Sequence, residues 1–192
     1  MPNYCNNKAV ISGPPAAIDA LLERMKRPYK AMGHIRKKGE NGKRTLGYGP
    51  VTVRGQFLLW NIIRPPDELL DEYHAVSDST ATQNNWYYWN RENWGTKWEI
   101  FPKRIRRRRG SLTVDVLTEA DEWIEVVHDV ISFTFESAWS PPLAAFHALA
   151  AQCPELSISL AYDEPGVDLY GLVTWENGEP VRGKYNLKRA NI

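Results

Sequence analysis

Cysteine is scarce in this sequence, and long apolar runs are absent. The only two cysteines among 192 residues, Cys5 and Cys153, lie far apart and form no C-x-x-C pair. A disulfide framework is therefore not expected, and a reducing cytosolic compartment is predicted. The longest stretch without Asp, Glu, Lys or Arg runs from Ser137 to Pro154 and is interrupted by polar residues and prolines. It does not read as a membrane span, and no targeting signal is visible.

Positive charge is also missing from a large part of the chain. Residues 110–181 contain no Lys or Arg and 13 acidic residues, whereas residues 1–109 carry 20 basic and 10 acidic side chains. Two basic runs, Arg24 to Arg44 and Lys103 to Arg109, account for much of this asymmetry. Such runs are usually solvated or attracted to polyanions. Three interpretations stay open: complementary surfaces within one fold, a nucleic-acid footprint, or docking on an acidic protein surface.

Motifs that carry catalysis or metal binding are absent as well. The sequence has no H-E-x-x-H, no G-x-S-x-G and no cysteine-protease signature, and Gly39 to Thr45 lacks the P-loop pattern. The four histidines are dispersed, at His34, His74, His128 and His147. We therefore expect no metal, no cofactor and no enzymatic activity. An enzyme whose catalytic groups assemble from distant positions is the remaining alternative.

The chain is long enough to bury a core without disulfides or metals. With 43% apolar and 11% aromatic residues, 192 residues are typical of one globular domain with an embellishment. We predict a single domain over residues 1–192. It carries a basic loop over residues 28–49 and an aromatic and basic insertion over residues 77–110.

Periodicity and breakers predict the elements of the first half. Apolar residues at Ile18, Leu21, Leu22 and Met25 share one helical face, and Pro28 cannot continue that helix, so it ends near Arg27. The full prediction for this half is a strand over Lys8–Ser12, that helix, a loop over Pro28–Gly49, a strand over Pro50–Ile63, a helix over Asp67–Val76 and a linker over Ser77–Asn85.

In the second half, Ser111–Leu117 and Val130–Ser137 alternate as strands do, while Glu119–His128 fits a helix face or a hairpin equally well. Ser140 is suited to cap a helix with Pro141 in its first turn, and Pro154 ends that helix. A strand over Leu156–Tyr162 follows. Asn177-Gly178 then predicts a terminal hairpin between Tyr170–Trp175 and Val181–Tyr185, with a connection longer than two residues. We predict an α+β fold of the ferredoxin-like (split βαβ) kind, an antiparallel sheet with helices on one face.

The most unusual stretch runs from Trp86 to Glu99 and holds six aromatic residues between Trp86 and Trp98. Each Trp or Tyr can bury roughly 150–250 Å² while one polar atom still needs a partner. The segment therefore either anchors a loop in the core or forms a recognition surface. In the second interpretation, its rings stack on bases beside the Lys103–Arg109 run.

Four segments carry a family resemblance. The start Met1–Asn7 and the turn Tyr162–Gly166 flank two further motifs, N-W-G-T-K-W and A-W-S-P-P. Together they resemble the YubB-like family of phage and conjugative-plasmid proteins in order and spacing. The resemblance implies a ferredoxin-like domain in a small accessory protein of a mobile element, and it supplies no catalytic residues. The resemblance assigns structural roles to Asn93, Trp94, Gly95, Thr96, Lys97, Trp98, Trp139, Ser140, Pro141 and Pro142.

These observations predict a non-enzymatic binding module in the cytoplasm of a bacterial host, with no membrane association. It would dock on a host protein or nucleoprotein complex and inhibit a defence system, in the manner of an anti-CRISPR protein. Direct nucleic-acid binding is one alternative, and a small-ligand binder or enzyme with a cleft near Trp60 and Trp139 is another. The candidate binding residues are Arg36, Lys37, Lys38, Arg104, Arg106, Arg107, Arg108, Arg109, Trp86, Tyr87 and Trp89.

Overall fold

A computed structural model describes residues 3–38, 44–70, 86–117 and 123–181. Eight strands and three helices lie within these residues. In chain order they are β1 (Tyr4–Gly13), α1 (Pro15–Met25), β2 (Tyr29–Lys38), β3 (Arg44–Val53), α2 (Trp86–Asn93), β4 (Arg106–Leu117), β5 (Trp123–Ala138), α3 (Leu143–Gln152), β6 (Ser157–Glu164), β7 (Leu169–Glu176) and β8 (Glu179–Val181).

The main sheet is antiparallel, with strand order β4-β5-β1-β6-β7-β8. Its first four strands are two split units, β1-α1-β4 and β5-α3-β6, which interlock as in a ferredoxin-like fold. The predicted α+β class and ferredoxin-like fold are therefore confirmed. β7 and β8 widen the sheet beyond β6.

The alternation along β1 shows which face of the sheet is covered. Cys5, Ala9 and Ile11 are buried, whereas Tyr4 and Lys8, at alternate positions of the strand, are exposed. The buried side chains join one cluster with the apolar faces of α1 and α3, including Ile18 and Phe146. The core therefore lies on the helix-covered face of the sheet.

Residues between α1 and β4 form an insertion that packs against this core. β2 and β3 pair with each other as a separate two-stranded sheet, from Tyr29↔Val53 to Lys38↔Arg44. The prediction of a loop over Pro28–Gly49 is wrong. Strand pairing uses backbone groups and does not require particular side chains. Gly33 lies opposite Gly49 in this pair, and because glycine has no side chain, the sequence shows no apolar alternation here.

The predicted strand over Pro50–Ile63 is wrong in its second half. β3 ends at Val53, and the apolar residues from Phe57 onwards form a buried loop with a 3₁₀ turn at Leu59–Asn61. The end of α1 holds this loop, because Leu58 N donates to Met25 O at 3.1 Å. The run is apolar throughout because it packs inside the core, not because it is a central strand.

Two further predictions, a helix and the linker after it, fall within this insertion. The predicted helix over Asp67–Val76 is, as far as it is described, only a 3₁₀ turn at Asp67–Leu69. Its remainder and the predicted linker over Ser77–Asn85 lie outside the described residues. The helix α2 at Trp86–Asn93 was not predicted.

The second half follows the predicted order more closely. The strands predicted over Ser111–Leu117 and Val130–Ser137 are confirmed and are longer than expected. Residues 123–128, the described part of the ambiguous segment, belong to β5 and pair with β4 as in a hairpin. The predicted cap at Ser140 is wrong, since α3 begins at Leu143 and Ser140 Oγ donates to Gly95 O at 2.6 Å. Pro141 accordingly precedes the helix instead of occupying its first turn.

The terminal hairpin is confirmed, but its connection is shorter than predicted. Asn177 and Gly178 form a two-residue turn between β7 and β8, with φ angles of 53° and 82°. Both angles lie in the left-handed region that tight hairpin turns of this kind require. The second strand therefore begins at Glu179, and residues 182–185 of the predicted strand lie outside the described residues.

Candidate binding cleft

Among the described strands, one end of β5 has a neighbour on only one side. β4 pairs with β5 from Arg106↔Ser132 onwards, whereas β1 follows β5 to Ala138. Residues 133–138 of β5 therefore pair with β1 alone within the described part of the chain. We call these six residues the open edge of β5.

The hydrogen-bond pattern shows which backbone groups face outwards at this edge. Trp139 N donates to Asn3 O at 2.9 Å, which continues the ladder between β5 and β1. Because the ladder alternates, the backbone groups of Thr134, Glu136 and Ala138 point away from β1. Ala138 O accepts a hydrogen bond from Thr96 Oγ1 at 2.9 Å, as this direction requires. The groups of Thr134 and Glu136 face the space beside the edge.

Gln56 holds the approach to β4 away from this edge. Its Nε2 donates to Lys103 O at 2.9 Å, and its Oε1 accepts from Ile105 N at 3.1 Å. The backbone just before Arg106 is thus bonded to the insertion instead of to β5. A cleft of about 930 Å³ opens between the insertion and the open edge.

Cations and exposed aromatic rings line this cleft together. Its basic side chains outnumber its carboxylates, which come from Glu99 and Glu136. Three of its aromatic residues are well exposed, with 49% of Tyr4, 37% of Trp98 and 55% of Phe101 accessible. The basic residues are Lys8, Lys103, Arg104 and Arg106.

Glu99 is the most perturbed acid at the cleft. Its carboxylate accepts hydrogen bonds from Leu59 N at 2.6 Å, Ile100 N at 3.0 Å and Trp60 N at 3.2 Å, and from Tyr29 Oη at 3.2 Å. Burial outweighs these bonds and raises the pKa of Glu99 to about 7. Glu99 thereby ties the buried loop to the cleft wall. Near neutral pH it contributes less than a full negative charge.

The aromatic residues of α2 divide between core and surface. Trp86 is buried and lines the cleft, while Trp89 packs edge-on against the fully buried Trp94, with ring centroids 5.7 Å apart. Tyr87 is half-buried and meets Trp139 edge-on at 5.9 Å. The aromatic segment therefore both anchors the insertion and supplies part of the cleft.

Lys97 lies among three aromatic rings beside the cleft. Its Nζ is 5.3 Å from the ring centre of Tyr87, 4.9 Å from that of Trp98 and 4.8 Å from that of Trp139. Trp139 has a φ of 72°, an unusual angle for a bulky residue. Lys97 makes cation–π contacts with all three rings, and these contacts help to orient Trp98 at the cleft.

The predicted basic residues between Arg104 and Arg109 separate into three groups. Arg104 and Arg106 line the cleft. Arg107 instead bridges Asp129 and Asp19, each at 2.5 Å, and this pairing lowers the pKa of both carboxyls. For Asp129 the hydrogen bond from Gly110 N is the larger cause. Arg108 and Arg109 are exposed and do not line the cleft.

The remaining predicted cations, Arg36, Lys37 and Lys38, lie in β2, and their side chains are outside the described residues. Their backbone pairs with β3 at the end of the hairpin distant from Tyr29. They are not brought to the cleft by any described contact.

The motif residues form a packing junction. Trp94 Nε1 donates to Ile63 O at 2.9 Å. Gly95 lies where α2 meets the start of α3, and a Cβ atom added to it would be 3.2 Å from Pro141 O and from Leu143 N. Asn93 Nδ2 donates to Trp89 O at 2.9 Å, and Pro141 and Pro142 are buried. The junction positions the cleft wall.

Several cleft residues were not predicted from the sequence. Tyr4 and Lys8 alternate with buried residues of β1, so their outward direction could have been predicted, but nothing local places them beside Arg106. Glu99 and Gln56 carry no sequence signal, because their partners are backbone groups of distant segments.

The described residues contain no group of three His, Cys, Asp or Glu side chains placed to hold a metal ion. Cys5 is buried, and Cys153 is half-buried with its Sγ 3.7 Å from Arg24 Nη2. None of the described helices is both long and apolar enough to span a membrane.

Comparison with known proteins gives a partial match to a family model and a similar fold. Residues 116–188 match the family model described as the ferredoxin-like domain in Api92-like protein. The crystal structure of protein api92 from Yersinia pseudotuberculosis is similar to this chain, with a TM-score of 0.58 and 10% identity over 99% of this chain and 100% of that one. This likeness concerns the fold alone. No curated protein is significantly similar in sequence.

Proposed function

We propose that this protein is a non-enzymatic binding module that docks on a protein component of a host macromolecular complex through the cleft at the open edge of β5. The observation that carries the proposal is the convergence, in one cleft, of strand backbone that pairs with no described strand on that side, exposed aromatic rings and four cations. Aromatic residues and arginine, which this cleft supplies as Tyr4, Trp98, Phe101, Arg104 and Arg106, are enriched at protein interfaces. The resemblance to the YubB-like family of mobile elements supports a host target. Within that setting, inhibition of a defence complex is the role proposed for the docking.

A nuclease-controlled pull-down tests this proposal. The tagged protein is incubated with lysate of a bacterial host, with and without nuclease, and recovered proteins are quantified. Arg104→Glu/Arg106→Glu reverses two charges in the cleft, and we expect it to reduce recovery of the partner at least tenfold.

Arg27→Glu/Arg108→Glu is the matched control, because it makes the same charge change at two exposed residues that do not line the cleft. The control should retain the partner. Recovery of no protein after nuclease treatment, or equal recovery by both variants, would count against docking through this cleft.

Direct nucleic-acid binding is the second candidate, and the exposed rings of Trp98 and Phe101 beside Lys103 and Arg104 favour it. Bases stack on aromatic rings beside cationic grooves. Affinity for a single-stranded oligonucleotide would then fall steeply with salt, in proportion to the phosphates neutralised. A mobility-shift titration without binding at low salt would eliminate this candidate.

A further inference from the structure

The open edge of β5 offers more than a charged surface. Thr134 and Glu136 each direct a backbone N–H and C=O towards the cleft, and β4 does not reach them. An unpaired strand edge is a template for another strand. Building on the proposed docking function, we propose that the partner inserts an extended peptide segment, in which acidic and apolar side chains alternate, as a strand beside residues 133–138 of β5.

The cleft has the room and the direction for such a strand. Six residues of extended chain span roughly 20 Å. The bonds from Gln56 to Lys103 and Ile105 keep the approach to β4 off the edge, so the described part of the chain leaves this space open. A bound segment would lie in line with β4, next to Arg106.

The two faces of the inserted strand would contact different kinds of side chain, charged on one face and apolar on the other. On the open face of the sheet, Lys8 lies opposite Thr134 in the β1 pairing, and Arg106 lies opposite Ser132 in the β4 pairing. Side chains on that face of the peptide would therefore lie beside Thr134 and Glu136, with Lys8 behind Thr134 and Arg106 at the end of the added strand. The two cations outnumber the one carboxylate of Glu136, which favours acidic side chains at the end next to Arg106. On the other face, Phe133, Phe135 and Trp86 line the cleft. Apolar side chains fit there, and strand residues alternate between faces.

Two other occupants fit less well. A nucleic acid would use the cations and rings but could not pair with successive backbone groups of Thr134 and Glu136. A second copy of this chain, pairing edge to edge through residues 133–138, would offer the four cations of the cleft only the carboxylate of Glu136 from its own paired residues. A peptide of opposite charge uses every feature of the cleft.

The test uses capped synthetic hexapeptides and the full chain, with binding measured by fluorescence anisotropy. The parent probe alternates aspartate with valine. Two derivatives carry N-methyl groups at all aspartates or at all valines, because only one of these sets of N–H groups faces β5. We expect one derivative to lose at least tenfold in affinity and the other to bind like the parent. An alternating lysine–valine peptide should bind at least tenfold more weakly.

Arg104→Glu/Arg106→Glu should weaken the parent peptide at least tenfold, and Arg27→Glu/Arg108→Glu should not. The amide NMR signals of Thr134 and Glu136 should shift on binding. Equal affinity for both methylated derivatives, or binding of oligothymidylate but not of the peptide, would overturn strand insertion. If every peptide fails while the pull-down still yields a cleft-dependent protein, the strand inference is wrong and the docking function stands.

Discussion

Glu99 shows at the residue scale how burial couples the cleft to pH. Its pKa is raised to about 7 from an ordinary value of 4.5. Between these values the folded protein holds a proton that the unfolded chain releases, so the free energy of unfolding falls as pH rises through this window. The slope from this one group reaches about 1.4 kcal/mol per pH unit.

We predict that Glu99→Gln removes this slope. Glutamine is neutral throughout and keeps an oxygen that can accept the amide hydrogen bonds of the buried loop. The measurement is urea unfolding at several pH values between 5 and 8, comparing the variant with the unaltered protein. Glu136→Gln, at the exposed rim of the same cleft, should leave the slope unchanged. Parallel pH curves for the unaltered protein and Glu99→Gln would contradict the assignment.

Cys5 supplies a second residue-scale prediction. Burial raises the pKa of its thiol to about 12 from 9.0, and burial also raises the pKa of Cys153. Because the thiolate is the reactive form, its fraction at pH 8 falls by about a thousandfold, and the thiol should react with an aromatic disulfide reagent only as the protein unfolds. Cys153→Ser isolates this signal. Reaction of the folded variant at the rate of a free thiol would refute the prediction.

At the scale of elements, the junction of α2 and α3 depends on one glycine. Gly95 has a φ of 82°, and an added Cβ would lie 3.2 Å from both Pro141 O and Leu143 N, which are backbone atoms that cannot give way easily. Gly95→Ala should therefore destabilise the protein by about 1–3 kcal/mol in urea unfolding.

Gly110→Ala provides the comparison. Gly110 has a φ of 56°, but its added Cβ would meet only a methyl group of Val127. This variant should lose only the conformational component, about 1 kcal/mol. A Gly95→Ala protein that is no less stable than Gly110→Ala would show that the helix junction is not sterically tight.

Element prediction succeeded where side-chain period and breakers agreed. α1 and β6 have clear apolar periods, and the structure has both where expected. Prediction failed at β2 and β3, whose paired glycines carry no period, and at Phe57–Trp60, where a buried loop imitates a central strand. In both places distant contacts outweigh local pattern.

At the scale of the whole molecule, one buried cluster spans the ferredoxin-like sheet and the insertion. Phe57 of the insertion packs on Phe133 of β5 at 4.7 Å and on Phe146 of α3 at 6.0 Å. Such shared packing predicts that both parts unfold together, and the single domain expected from the sequence stays a prediction that this unfolding would test.

We therefore expect circular dichroism and tryptophan fluorescence to give coincident urea transitions. Phe57→Ala should lower the free energy of unfolding by about 3–5 kcal/mol and shift both transitions together. A second, separate transition, or a Phe57→Ala variant in which only one probe moves, would mean that the insertion is an independent unit.

The sequence by itself determined the α+β class, the ferredoxin-like order of the main elements and the uneven distribution of charge, because apolar period, prolines and composition are local properties. Only the tertiary structure decided which charges act together. It places Arg104 and Arg106 in the same cleft as Lys8 of β1, whereas Arg107 forms salt bridges with Asp19 and Asp129. The register between β4 and β5 and the contacts of Gln56 and Glu99 also arise from pairing between distant segments, which no local pattern encodes.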